Sequence, residues 1–346
     1  MAIVEYTPEL FEDLQEMVAR VPRNMNLAHR PFVDYFYASS ECCKLYLFLS
    51  DSGRVLGTFG RQLLHFEDQG REITVRIGSN WFSCQAGVGG QLSKHSALAN
   101  PNSFAMTFMV SPEALKVLRH YHWVSLPGVT GYFLNACSLR PWDSWWKIVA
   151  NSIVRQLGGR KLKSITARIP LEASTRITIC EEHSYSSDLL PQRSPFRFRF
   201  VPTVEFLNWR YNLSLSFVRY RLFRLIAAGA TVGYIILNES PQQIIVAQCD
   251  GEDATVLAFG ILMAIAQIAG EDQRRRTVFL SCCHSEMQKV FEAAGLSRWL
   301  RRNLPFGFRT LPPDLDLSSG ISNWLVNYDW SDNGLQAPFL DQNGAS

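Results

Sequence analysis

The chain has no long uninterrupted apolar run, no paired-cysteine metal spacing and little net charge, and each lack removes a class of protein. The longest apolar stretch, Ala254–Ala269, is interrupted by Gly260 and Gln267. It falls short of the roughly 20 residues a helix needs to cross a bilayer, so a buried helix and no membrane span are expected. Met1–Tyr6 leads straight into an acidic amphipathic segment, without the basic start and apolar core of a secretory leader. A cytoplasmic protein is the expectation. Of the eight cysteines, Cys42-Cys43 and Cys282-Cys283 are adjacent, and Cys84, Cys137, Cys180 and Cys249 are scattered. No CxxC spacing marks a zinc or redox site, so no metal is expected; the cysteines read as reduced thiols, with Cys42, Cys43, Cys249, Cys282 and Cys283 serving as small apolar side chains in or beside strands. A balance of 34 Lys+Arg against 31 Asp+Glu leaves a charge of +3, too little for the concentrated basic face of a nucleic-acid partner. The tight basic clusters, Arg274-Arg275-Arg276 and Arg298 with Arg301 and Arg302, read as solvated faces.

What the chain does have is length for two domains and a weak internal echo. The 346 residues, 47% hydrophobic, suit two units of roughly 100–200 residues, each able to bury a core. Phe104–Val110 followed by Ser111–Leu118 resembles Thr277–Cys283 followed by His284–Phe291. Glu113 and Glu286, Lys116 and Lys289, and Val117 and Val290 share one offset of 173 residues. Each copy is an apolar run of strand length, a polar cap, then apolar residues at helical spacing. A period this long means two similar domains in tandem, since solenoid repeats are far shorter.

The order of elements is similar in the two halves. Ile3–Tyr6 reads as a strand. Thr7-Pro8 starts a helix whose buried stripe is Leu10, Leu14, Met17 and Val18, and a second helix is expected over Phe32–Ser39. Leu45–Leu49, Val55–Leu64 and Glu72–Phe82 form antiparallel strands around turns at Asp51–Gly53 and Glu67–Gly70. A helix over Gln91–Ala99, the echoed strand and helix, and a strand over residues 127–140 follow. A helix over Trp145–Leu157 and a strand over Ser164–Leu171 lead to Glu181–Ser194, a polar stretch that reads as a linker. The second half opens with Leu207-Asn208-Trp209-Arg210-Tyr211. A hairpin of Tyr220–Ile226 with Thr231–Leu237, a strand at Ile244–Gln248 and the apolar helix come next, with Gly57 and Gly233 at equivalent hairpin positions. The expected organisation is an N-terminal unit over 1–142, a connecting segment over 143–198, and a C-terminal unit with its tail over 199–346.

This order, present twice, resembles the GNAT N-acetyltransferase superfamily. The opening Leu207–Tyr211 segment and the closing Trp324–Asp332 stretch resemble a bacterial group of tandem GNAT proteins, some associated with exopolysaccharide or envelope biosynthesis. The resemblance implies an α/β fold of two GNAT-like domains, each with a mixed, mainly antiparallel central sheet. It also implies an acyl-CoA donor, acetyl-CoA in the first instance, and a small amine or sugar acceptor. The family holds the donor pyrophosphate on an Arg/Gln-x-x-Gly-x-Gly/Ala loop at a helix start, where glycines let backbone N–H groups approach and the helix dipole favours an anion. The matching place here is Gln85-Ala86-Gly87-Val88-Gly89-Gly90. Strict register asks for glycine at positions 88 and 90, and only Gly90 complies. The candidate donor-binding residues are Phe82, Ser83, Gln85, Ala86, Gly87, Val88, Gly89 and Gly90, with Lys94 and His95 as weaker additions. In the second half the place is Asp250-Gly251-Glu252-Asp253, whose carboxylates repel a phosphate and suit helix capping.

The tyrosine that serves many of these enzymes as general acid aligns with Leu118 and Phe291, and neither can donate a proton. The catalytic candidates that remain are Tyr121, one turn further on, and Glu72 or Asp68 acting on an amine through water. Core packing is the better reading of Cys42-Cys43 and of Cys282-Cys283-His284, and Trp142, Trp145 and Trp146 read as an interdomain contact or a sugar-stacking surface. Three functional expectations follow: an acyl-CoA-dependent N-acyltransferase, a catalytically silent GNAT-like binding or scaffold protein, or a Fem-like aminoacyltransferase. The last asks for a helical arm rich in Lys and Arg that the sequence lacks.

Overall fold

The structure is a computed structural model. It describes residues 1–21, 26–99, 103–108, 112–134, 176–241, 243–271, 276–298, 304–309 and 320–330. The tryptophans at 142, 145 and 146, the expected helix over 145–157 and strand over 164–171, and Arg274, Arg275, Arg301, Arg302 and Asp332 lie outside the described residues.

The first half is built on strands β1 (Ala2–Glu5), β2 (Cys43–Leu49), β3 (Val55–Asp68) and β4 (Arg71–Ser83), paired antiparallel in that order. Gln69 and Gly70 both have positive φ, 52° and 84°, the backbone of a two-residue turn that matches strand twist. On β4 the period-2 alternation that marks a half-buried strand buries Ile73, Val75 and Ile77. Helix α1 (Phe11–Val18) buries Phe11, Leu14, Met17 and Val18. Helix α2 (Arg30–Val33) runs on into a π-type turn over Asp34–Ala38. After α3 (Val88–Ala99) come β5 (Phe104–Phe108), parallel to β4, then α4 (Pro112–His120) and β6 (Val124–Leu134).

The second half repeats this scheme. Helix α5 (Val204–Arg210) starts at Thr203, whose hydroxyl accepts from Phe206 N–H at 3.1 Å. Strands β9 (Arg219–Ala227), β10 (Ala230–Glu239) and β11 (Gln243–Gly251) pair antiparallel. Helix α6 (Ala254–Glu271) leads to β12 (Thr277–Cys282), parallel to β11, and α7 (Ser285–Ala293) follows. The echoed segments of the sequence are thus β5–α4 and β12–α7. Helix α6 is long and apolar enough to cross a membrane, with mean hydropathy 1.7, and half of it is buried inside the protein, as an all-round apolar core helix requires. The polar stretch Glu181–Ser194 carries structure. Its first two residues end strand β7 (Ile177–Glu182), which closes the edge of the second sheet by pairing with β9. Glu181 and Glu182 face Arg221 and Arg224 at 2.5 and 2.6 Å, so their charge marks a paired strand edge and not a free linker.

The two mixed sheets interlock through reciprocal strands. Strand β14 (Leu304–Arg309), from the second half, lies between β5 and β6 of the first. The far part of β6, Thr130–Leu134, lies between β12 and the short β13 (Ser297–Arg298) of the second. Strand β8 (Phe198–Phe200) pairs antiparallel with the end of β3, Phe66–Asp68. One core cluster mixes Leu14, Phe32, Phe36 and Leu45 with Leu207, Tyr211, Tyr220 and Tyr234. Burial at about 25 cal/mol per Å² of apolar surface therefore stabilises both halves through the same residues.

Candidate functional site

The site follows from where two strands part. Among the described residues, parallel pairing of β4 with β5 covers Val75–Ile77 against Phe104–Met106, while β4 runs on to Ser83 and β5 pairs with β14 along its other edge. The chain leaves the open end of this wedge through Cys84–Gly87 and enters α3. Gly87 takes φ +84°, a left-handed conformation that costs an L-residue about 1–2 kcal/mol, and so redirects the strand into the helix. The first intrahelical bond runs from Gln91 N–H to Gly87 O at 3.2 Å. The N–H groups of Val88, Gly89 and Gly90 precede it and have no helical acceptor.

A cavity of about 520 Å³ opens here, lined by Trp81, Phe82, Ser83, Gly87, Gly89 and Gly90 on one side and by Lys116, Val117, His120 and Tyr121 of α4 on the other. A Cβ at Gly90 would lie 2.9 Å from the Tyr121 hydroxyl oxygen, and one at Gly89 would lie 2.9 Å from Trp81 Nε1. The absence of side chains at these two positions leaves the helix start bare. Trp81 Nε1–H donates to Gly89 O at 2.9 Å and holds the cradle against the strand. Bare N–H groups, an ammonium, an imidazole and no carboxylate among the lining residues fit the pyrophosphate end of an acyl-CoA.

The sequence-level candidates divide on this geometry. Phe82, Ser83, Gly87, Gly89 and Gly90 line the cavity. Gln85 and Ala86 sit exposed in the connecting turn, and Val88 points into a small core with Tyr46, Phe48, Phe59 and Leu92. His95 packs its ring against Tyr46 at 5.0 Å, away from the cavity, and Lys94 is not among the cavity's lining residues. Tyr121 stands over Gly90. Glu72 lies at the opposite end of β4, roughly 35 Å from Ser83 at strand rise, exposed and paired with His65 Nδ1 at 2.8 Å. Asp68 is held by Arg197 at 3.3 Å. The structure brings Tyr121 to the candidate site and leaves Glu72 and Asp68 outside it. Lys116, Val117, His120 and Trp81 were missed. The signal was present in the spacing of 116, 117, 120 and 121, which puts all four on one helical face, but only the fold says where that face looks.

The second half has the same wedge and fills it. Parallel pairing of β11 with β12 again covers three residues, Gln243–Ile245 against Thr277–Phe279. Beyond it lies the chain's own segment Ile321–Asp329. Cys249 Sγ donates to Asn327 Oδ1 at 3.1 Å and Asn327 Nδ2 donates to Cys249 O at 3.2 Å on the β11 side. Ser281 Oγ donates to Val326 O at 3.2 Å on the β12 side. Trp324 is fully buried against Phe198, ring centroids 4.3 Å apart, and about 10 Å³ of space remains. The segment is anchored by Asp329 on Arg210 at 2.8 Å, both buried. One ion pair thus ties the opening Leu207–Tyr211 signature to the closing tryptophan segment.

The helix start beside this plug is also taken. Asp253 Oδ1 accepts from Thr255 and Val256 N–H at 2.8 and 2.9 Å, which is the capping expected from the sequence. Asp250 is buried, accepts from Gly251 N–H at 2.8 Å and pairs with Arg199 at 2.7 Å. Burial pushes its carboxyl up to about 7 against the pull of Arg199. Burial likewise pushes the Cys43 and Cys282 thiols up to about 12, which removes them as thiolate nucleophiles at neutral pH. Leu118 and Phe291 are buried apolar side chains.

No protein-family model matches the sequence, and no curated protein matches it. Solved structures do. A tandem GNAT protein from the clavulanic acid biosynthesis pathway superposes with TM-score 0.53 at 11% identity, covering 90% of this chain and 99% of that one. N-myristoyltransferase of Saccharomyces cerevisiae with bound myristoyl-CoA gives 0.53 at 9% identity over 93% and 85%. A GCN5-related N-acetyltransferase from Anabaena variabilis gives 0.50 at 8% identity over 89% and 72%. At such identities the likeness is one of fold. The fold is that of the GNAT acyl-CoA N-acyltransferases in tandem.

Proposed function

We propose that the protein is an acyl-CoA-dependent N-acyltransferase with one donor site, in the first half. Acetyl is the expected acyl group, and the acceptor is an amine of an amino sugar, an envelope precursor or a small metabolite. The observation that carries this reading is the contrast between the wedges: one opens on a 520 Å³ cavity at a bare helix start, the other is filled by Ile321–Asp329. In this reading residues 1–142 and 199–346 are the two GNAT-like units, and the 143–198 stretch between them also supplies β7 to the second sheet.

Bound acyl-CoA would supply a thioester carbonyl to the amine nitrogen. The N–H groups of Gly89 and Gly90 would hold the pyrophosphate, and Trp81 and Val117 would wall the cavity against water. Positioning of this kind is worth several powers of ten in rate without a dedicated acid, and we assign none. Leu118 and Phe291 favour a second reading, a binding protein of the same fold that holds the ligand without turning it over.

Calorimetric titration with acetyl-CoA tests the reading. Saturable binding by the wild type, lost in Gly89→Glu, supports it, because the substitution sets a carboxylate where the phosphates would lie and displaces Trp81 Nε1. No binding by the wild type at millimolar ligand would overturn it. Binding without acetyl transfer to any of a panel of amines would favour the silent reading.

A further inference from the structure

We propose that Lys116 and His120 form a second phosphate subsite, which takes the ribose phosphate monoester of CoA and makes the protein select CoA over dephospho-CoA. The inference rests on the acyl-CoA reading and goes beyond it by naming which form of the nucleotide end is recognised.

The cavity offers two separate sources of positive potential. One is the helix start, whose bare N–H groups at Gly89 and Gly90 suit a pyrophosphate. The other is the α4 wall, where Lys116 and His120 stand one helical turn apart on the same face. None of the ten lining residues carries a carboxylate, so nothing inside the cavity neutralises that wall.

The internal echo supplies the control. Lys289 occupies the position equivalent to Lys116 and is bound to Glu286 at 2.8 Å on the exposed face of α7. Among the described residues, Lys116 forms no ion pair with any carboxylate. The two lysines share a helix position, yet Lys289 is bound on the exposed face of α7 and Lys116 lines the open cavity. An ammonium lining a concave surface free of carboxylates raises the local concentration of anions. The pyrophosphate already has its donors, so the Lys116 ammonium with the His120 imidazole beside it has capacity for a further phosphate. CoA carries one as a monoester, and dephospho-CoA does not.

The test is a ratio of affinities measured on the full-length protein. Calorimetry with CoA and dephospho-CoA should show the wild type binding CoA about ten- to a hundredfold more tightly, the range of one or two charge-assisted hydrogen bonds. Lys116→Gln should reduce the ratio several-fold, and Lys116→Gln with His120→Gln should bring it close to one. Lys289→Gln should leave it at the wild-type value. A ratio cancels any general loss of folded protein, so a destabilised variant still reports. Wild-type ratios near one overturn the subsite while leaving the acyl-CoA reading intact, as does Lys116→Gln weakening both ligands equally. Wild-type protein that binds neither ligand overturns the acyl-CoA reading and the subsite with it. A fall in the ratio for Lys289→Gln matching that for Lys116→Gln would assign the effect to overall charge and refute the local subsite.

Discussion

Gly90→Ala should leave the fold almost unchanged and damage the site. A Cβ there would lie 2.9 Å from the Tyr121 hydroxyl oxygen and 3.7 Å from the two nearest ring carbons. The first distance is about 0.5 Å too short for carbon and oxygen at rest, so something must move. The tip of a half-buried tyrosine moves more cheaply than backbone, and a small departure from its rotamer costs about 0.5–1.5 kcal/mol. Replacing a helical glycine with alanine returns about 0.5–1 kcal/mol. The two effects nearly cancel, and urea denaturation should place Gly90→Ala within about 1 kcal/mol of wild type. Binding should respond differently. The new methyl covers the Gly90 N–H and the displaced hydroxyl narrows the cavity, so loss of one hydrogen bond to a charged group, about 1.5–3 kcal/mol, should weaken acetyl-CoA ten- to a hundredfold by calorimetry. Tyr121→Phe in the Gly90→Ala background removes the clashing oxygen and should recover part of that loss. Wild-type affinity in Gly90→Ala would refute the cradle. So would a stability loss above about 2 kcal/mol, which would mean that Tyr121 is locked.

Three further outcomes probe the second half and its joint with the first. Trp324→Ala should cost about 3–5 kcal/mol in urea denaturation, because the indole is fully buried in the filled wedge; a cost below 1 kcal/mol would mean that the plug is loosely seated. Asp253→Ala removes the acceptor for two N–H groups and should cost about 0.5–2 kcal/mol, with no change in donor affinity by calorimetry. Asp250→Asn should flatten the dependence of stability on pH. The Asp250 carboxyl is raised to about 7 by burial, so the folded state holds its proton more tightly than the unfolded chain. The stability this gives is fully present below about pH 4 and is lost as pH rises toward 7, by up to about 1.4 kcal/mol for each pH unit. Arg199 keeps Glu67 at 3.6 Å as a counter-ion when Asp250 is protonated. Denaturation midpoints from pH 5 to 7.5 check this, and equal slopes for the wild type and Asp250→Asn would contradict it.

The chain by itself determined much that is local. Its alternation at Ile73, Val75 and Ile77, its turns at Gly53 and Gly70, and its two strand–helix echoes were readable because periodicity and turn chemistry act over a few residues. Asp253 as a cap was legible for the same reason. The fold class came from the resemblance that this order of elements, present twice, bears to the GNAT superfamily. The tertiary structure decided the rest. Which of two nearly equivalent wedges stays open depends on Ile321–Asp329 reaching Cys249 and Ser281, between 40 and 80 residues away. That β14 completes the first sheet, and the end of β6 the second, depends on pairing across more than 140 positions. Strand propensity says that a segment will pair, not with what; the partner is chosen by burial and by the edges left vacant once everything else has packed. Lys116 and Lys289 make the same point in a single side chain: identical in local pattern, one lines the open cavity and the other pairs with Glu286 on the surface of α7.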